Sequence, residues 1–257
     1  MTQNYKKQKA FTLAEILLTL VILGVVSALT VPTLKRNSDE AKYVAAVQKA
    51  MAEVASASAN VELEYGDIAL LWKYTSGDDT DSKNSRNNEA KSISDKYAKT
   101  MNVLRMARPN EQWTRYSIAS DGKFAGAGGS RNTGGFFVPH FYTTDGMAWN
   151  FTDGGYACGG AILIDVNGEN PPNVIGIDMH GFRVGQPCSY KKETDSETGK
   201  EKIVGTNRTG SFGIYAMGDG INDTNGTWAC TSYVIKHKAM PWLYKSTQNG
   251  CVDYYAK

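Results

Sequence analysis

Lys9-Ala10-Phe11-Thr12-Leu13-Ala14-Glu15 runs without a break into the apolar stretch Ile16 to Val31, and the reading of this segment decides the fold. From Phe11 to Val31 there is no proline and a single ionisable side chain, Glu15. As a helix rising about 1.5 Å per residue, the segment is roughly 30 Å long, which matches the hydrocarbon thickness of a bilayer. It spans a membrane once. The ten residues before Phe11 carry Lys6, Lys7 and Lys9 and no acid. Positive charge holds that end in the cytoplasm, so everything after Pro32 is expected outside. A secretory signal would instead end in a small-residue cleavage site after its apolar core, and Ser27-Ala28-Leu29 is a poor one.

Glu15 sits early in this apolar run. A carboxylate at membrane depth is costly, so it marks function and needs a partner. The segment itself offers no evident one. A basic leader, a small residue, Phe-Thr-Leu, a glutamate and an apolar helix together resemble the class III signal of type IV prepilins and of the pseudopilins of type II secretion. The resemblance runs from Lys9 to about Pro32. It implies cleavage of the Ala10–Phe11 bond by a prepilin peptidase and methylation of the new amine on Phe11. It also implies that Glu15, then the fifth residue, pairs with such an amine on a neighbouring subunit. Ala10 departs from the glycine most often found before the cut. Gly24 and Pro32 stand where the family's helix has its glycine and its kinking proline; a proline inside a helix removes one hydrogen bond in any case.

Charge is read after processing. The 28 basic and 26 acidic residues give +2, and loss of Lys6, Lys7 and Lys9 leaves 25 against 26, or −1. Bulk charge therefore gives no case for nucleic-acid binding. At 257 residues there is room for one exported globular domain beyond the helix. All four cysteines, Cys158, Cys188, Cys230 and Cys251, fall in the exported part. An even count in an oxidising compartment reads as two disulfides, and of the three pairings we favour Cys158–Cys188 with Cys230–Cys251. No Cys-x-x-Cys pair supports zinc.

Beyond Pro32, Val44, Val47, Met51, Val54, Ser58 and Val61 recur at alternating spacings of three and four, a narrow stripe on a polar helix that ends at Gly66. The stripe is expected to pack on the chain's own globular domain. The whole helix, residues 11–65, would be roughly 80 Å long. Residues 75–95 read as a polar loop. Ile93, Tyr97, Met101 and Leu104 then suggest a short helix to about Ala107, ended by Pro109. After that the pattern turns β-like: Trp113 to Ile118, Phe136 to Tyr142, Met147 to Phe151, Ala161 to Val166 and Gly181 to Val184, separated by Asp-Gly and Gly-Gly turns. Trp228 to Ile235 reads as an ordered helix or strand. The expected fold is therefore α+β. It has a leader over residues 1–10, a long helix over 11–65 whose part 11–31 is the membrane or filament-core section, and an antiparallel sheet domain over 66–257.

Two stretches are rich in oxygen ligands. Asp165, Asn167 and Asp178 lie around a turn containing Gly168 and Pro172, in an Asp-x-Asn-Gly, Pro-Asn, Gly-x-Asp pattern that resembles one found in pilin-like proteins. Calcium fits that donor set, and so does an Asx-turn network without any ion. Asp219 to Gly226 is a second oxygen-rich loop, but Ile221 and Ser232 occupy positions where an EF-hand needs acids. His140, His180 and His237 are isolated from any catalytic pattern. The late aromatics Trp228, Tyr233, Trp242, Tyr244, Tyr254 and Tyr255 suit either an adhesive surface or packing.

The resemblance implies a structural subunit rather than an enzyme, held in the inner membrane with its leader cytoplasmic and then moved into an extracellular or periplasmic filament. Its partners would be further copies in a helical homo-oligomer, other pilin-like subunits, the prepilin peptidase, an inner-membrane assembly platform and the membrane itself. A pseudopilin of type II secretion and a membrane-tethered binding module that never polymerises are the alternatives. An exported enzyme would need a titrating cluster that the sequence does not show.

Overall fold

The structure is a computed structural model describing residues 11–66, 68–72, 80–114, 116–118, 124–126, 136–152, 159–185, 188–194, 201–208, 213–216 and 230–243. The chain forms two compact units, one running to Ala41 and one from Lys42 onward. A single helix, α1 (Leu13–Tyr65), contributes to both and continues through Pro32. In the first unit its apolar side chains bury against nothing: every residue from Phe11 to Lys35 is exposed, Leu29 at 72% and Val21 at 63%. Soluble folds do not leave a surface of this kind uncovered.

In the second unit the same helix behaves as a core element. Val44, Val47, Ala50, Val54, Ala57, Ser58 and Val61 are buried, which is the stripe read from the sequence with Met51 at its edge. It packs on the chain's own domain, as expected. The helix stops at Gly66, whose φ of +88° lies in the left-handed region where a Cβ would be strained. A short helix α2 (Ile68–Leu71) follows, then α3 (Thr80–Thr100). Ala90, Ile93 and Tyr97 of α3 bury against α1, and Tyr97 OH shares a 2.7 Å hydrogen bond with Ser58 Oγ. That bond explains why a serine sits in the apolar stripe. A hydroxyl at this depth needs a partner, and each supplies the other's.

The strands that follow are β1 (Val103–Met106), β2 (Trp113–Thr114), β3 (Tyr116–Ile118), β4 (Phe124–Gly126), β5 (Phe136–Phe137), β6 (Phe141–Thr143), β7 (Ala148–Thr152) and β8 (Gly159–Asp165). After them come β9 (Val174–Ile175), β10 (Met179–Gly185), β11 (Cys188–Thr194), β12 (Glu201–Arg208) and β13 (Gly213–Ala216), and then α4 (Cys230–His237). The main sheet runs β1-β6-β7-β8-β10-β9-β3-β4, with β13 also on β10. Its centre is an antiparallel meander, Trp149 opposite Ile164 and Ile164 opposite His180. β8 is apolar at successive positions because both its faces are covered. Ile162 and Ile164 join Phe151, Phe182 and Trp242 in the core shared with the helices. Ala161 and Leu163 face a smaller cluster capped by Trp113 and Phe137, whose rings lie 5.0 Å apart.

Three expectations are corrected. The stretch over residues 75–95 that reads as a loop is helical from Thr80, so α3 starts well before the first apolar residue of its periodic pattern. Its end also moves: residues 103–106 form β1 instead of continuing to Ala107, because they pair with β6 and leave Leu104 63% exposed at the sheet edge. The sheet is mixed rather than wholly antiparallel, since β9 makes short parallel ladders with both β10 and β3. Two residues wedged between longer strands accept whichever direction the loop imposes. Ile93→Ala is expected to lower the unfolding free energy of the detergent-solubilised chain by about 2–5 kcal/mol, and Tyr97→Phe by about 0.5–1.5 kcal/mol. Denaturant titration checks both.

Candidate functional site

The amino-terminal end of α1 is built by two side chains. Thr12 precedes the first helical residue and Glu15 lies three residues on. The Thr12 N–H and Oγ1–H both donate to Glu15 Oε2 at 2.8 Å, and Glu15 N–H donates to Thr12 Oγ1 at 3.2 Å. This is a capping box: each side chain satisfies a backbone donor that the first helical turn leaves open. Glu15 therefore has a partner inside its own segment, which corrects the expectation that it has none. The Thr-x-x-Glu spacing was the signal that would have found it. Phe11, just outside the cap, is 81% exposed. Ala10 and the rest of the leader lie outside the described residues.

Farther along the same segment, Gly24 has open space around it. Pro32 leaves the carbonyl four residues earlier without its N–H partner. Nearby threonines bond back to the helix, Thr30 Oγ1 to Val26 O at 2.9 Å and Thr33 Oγ1 to Leu29 O at 3.4 Å. α1 is the one helix among the described residues that is long and apolar enough to cross a membrane by length and composition.

The second assembly of polar groups is the connection from β8 to β10. Asp165 ends β8 and Asp178 directly precedes β10, and both are fully buried. Asp165 accepts the Asn167 N–H and the Trp113 Nε1–H, each at 3.3 Å. Asp178 reaches back to accept the Val174 N–H at 2.7 Å and the Asn173 N–H at 2.8 Å. Val166 N–H then donates to Asp178 O at 2.8 Å, closing the loop at its base. Gly168, with φ +69°, approaches so close that an added Cβ would stand 2.8 Å from Gly146 O. Asp165, Asn167 and Asp178 thus do meet around one turn, and their hydrogen bonds are those of an Asx network. Asn167 Oδ1 is buried and accepts no hydrogen bond. Among the described residues no three His, Cys, Asp or Glu side chains cluster closely enough to hold a metal.

Burial and, for Asp165, repulsion by Asp178 push both carboxyls well above the ordinary carboxylate range. The histidines are held by packing. His180 is wholly buried, between Ile177 O at 3.0 Å and Thr231 Oγ1 at 3.3 Å, and burial lowers it to about 4. His140 accepts the Phe151 N–H at 3.2 Å and is also lowered to about 4, again chiefly by burial. His237 lies against Tyr233, with ring centroids 4.3 Å apart. Trp242 is buried and donates to Gly176 O at 2.8 Å, so it belongs to the core rather than to a surface patch. Cys230, on α4, is disulfide-bonded. The side chains of Cys158, Cys188 and Cys251 lie outside the described residues, as do Asp219 to Gly226, Trp228, Tyr244, Tyr254 and Tyr255.

Residues 5–31 match the prokaryotic N-terminal methylation motif, the class III prepilin signal of type IV pilins and pseudopilins. No curated protein sequence and no solved structure matches the chain. The motif covers residues 5–10, the capping box and α1 as far as Val31.

The buried ionisable groups set opposite pH dependences. A depressed histidine stabilises the fold above its unfolded value of about 6.5, and that contribution is lost as pH falls through about 4. A raised carboxyl does the reverse: its contribution is complete below about 3.9 and is lost as pH rises. Among the described residues, Asp165, raised to about 9, is the buried carboxyl that changes from about pH 7 to about pH 9. The melting temperature of the calcium-free chain is expected to fall across that window, and Asp165→Asn to flatten the slope. A flat wild-type profile would show that the pair does not change its protonation in that window and would overturn this assignment.

Proposed function

We propose that the chain is a structural subunit of a type IV pilus-like filament. It is cut between Ala10 and Phe11 by a prepilin peptidase, methylated on the Phe11 amine, and polymerised through its amino-terminal helix. The observation that carries this reading is the contrast within α1. From Lys42 onward the helix is built into a closed core, whereas from Phe11 to Lys35 it is apolar and wholly exposed under a prepilin signal. Such a surface is stable in lipid or against other copies of itself, and in neither place does it meet water. Moving subunits from membrane to filament exchanges one apolar environment for another.

Glu15 supplies register in this proposal. In the single chain its carboxylate is satisfied by Thr12. Cleavage would create a positive amine on Phe11, the residue next to that cap, and the amine of a neighbouring copy is the group Glu15 would meet in the filament. A misdocked subunit leaves charge unpaired in an apolar medium, which is penalised. Before assembly the subunit stands in the inner membrane with its leader cytoplasmic. The disulfides Cys158–Cys188 and Cys230–Cys251 belong to the same proposal, as does calcium at the Asp165 turn, for which the orphaned Asn167 Oδ1 is the supporting observation. Asp165, Asn167 and Asp178 would hold the ion, which would neutralise two buried carboxylates.

Glu15→Ala is expected to leave membrane insertion intact and to cut the protein recovered in sheared surface fibres to a small fraction of wild type. Wild-type fibre yield from that variant would refute the role given to Glu15. Calcium is checked by melting: the ion should raise the transition temperature of wild type and leave Asp178→Asn unmoved. Equal shifts in both, or none in wild type, would remove calcium from the account.

A further inference from the structure

The exposed part of α1 carries an ionisable residue at each end of an uncharged run. Between Glu15 and Lys35, residues 16–34 hold no ionisable side chain, and all of them are exposed. At about 1.5 Å per residue the two charges stand roughly 30 Å apart along the helix, the thickness of a bilayer's hydrocarbon core. With the leader end cytoplasmic, the Glu15 carboxylate then lies near the inner boundary and the Lys35 ammonium at the outer one. A slide of one turn, about 5.4 Å, in either direction draws one of them into hydrocarbon, where an ionised side chain is penalised.

Leu34 is 67% exposed, and Lys35 follows it directly. Among the described residues the Lys35 ammonium has no hydrogen bond or ion pair, whereas Arg36, Asp39 and Glu40 each have interactions within the chain. Asp39 and Glu40 also stand a turn or more beyond Lys35, on the side away from the apolar run. Ser38, exposed and three residues on, lies beside Lys35 on the helix surface and adds a hydroxyl donor. A lysine stem lies along apolar helix surface while its ammonium reaches the polar layer, so this side chain suits the boundary itself.

The anions at that depth of a bilayer are lipid phosphates. We propose that Lys35, with the Ser38 hydroxyl beside it, holds the phosphate of an anionic phospholipid at the outer face of the membrane. Every phospholipid brings a phosphate, but a zwitterionic headgroup also carries its own ammonium, whereas an anionic headgroup leaves its charge for the protein to meet. One basic group near an anionic surface is worth about a fivefold preference. The contact sets the depth at which the helix sits, because apolar burial alone is indifferent to small slips. It needs the chain in a membrane and not in a filament. In the proposed processing, loss of the leader removes Lys6, Lys7 and Lys9 from the cytoplasmic end and leaves Lys35 in place at the other.

The test places the full chain in phosphatidylcholine vesicles doped with a photoactivatable phosphatidylglycerol or, in parallel, a photoactivatable phosphatidylcholine, and maps the cross-linked peptides by mass spectrometry. Labelling of residues 34–42 is expected to be about fivefold higher from the anionic lipid. Lys35→Gln is expected to bring the two lipids to parity at this segment, and Lys35→Arg to keep the excess because it keeps the charge. Equal or absent labelling in wild type, or an undiminished excess in Lys35→Gln, would overturn the lipid site while the chain stays in the vesicles. Release of the chain by an alkaline carbonate wash would overturn the membrane reading and the site with it.

Discussion

An apolar helix surface that must be kept from water is the constraint on which the rest of this structure depends. Residues 11–35 present it entirely uncovered. The fold answers by dividing α1 between two environments. Its first half carries side chains suited to lipid or to like helices, and its second half narrows to a stripe of valines and alanines that a sheet can cover. Both kinds of burial rest on the same effect, worth about 25 cal/mol per Å² of apolar area removed from water. One is completed within the chain. The other, in the proposed reading, is completed by a membrane or by other copies.

The capping box gives the amino-terminal end its chemistry. A carboxylate in an apolar run is tolerable when its charge is spread over donors, and Thr12 supplies two of them to Glu15. The same arrangement starts the helix at Leu13 and leaves Phe11 outside it, so the residue expected to be exposed by cleavage is already free of helical hydrogen bonds. Structure and processing are linked at this point. The group that fixes where the helix begins is also the group proposed to recognise the neighbour.

The long helix, its stripe, its stop at Gly66 and most of the central strands were legible because burial on one face writes a period into the sequence. Where that period was weak, reading failed. The start of α3 carries no apolar residue before Ala90, so its helix is visible only through the tertiary packing of Ile93 and Tyr97. β1 has helical spacing by accident, and pairing with β6 overrides it. The turn from Asp165 to Asp178 was legible as a constellation, but the partner that meets the buried Asp165 carboxyl from outside the turn is Trp113, fifty-two residues earlier in the chain. The Lys49–Asp145 ion pair was unreadable, since the two residues are brought together only by the packing of α1 on the β6–β7 turn.

Intact-mass and amino-terminal peptide analysis of protein recovered from sheared surface fibres, with the membrane fraction measured beside it, tests the central claim most directly. The account predicts a chain beginning at N-methylated Phe11 in the fibres and an uncleaved precursor confined to membranes. A chain that retains Met1 throughout, or that is found only in membranes, would contradict it and leave a tethered domain that does not polymerise.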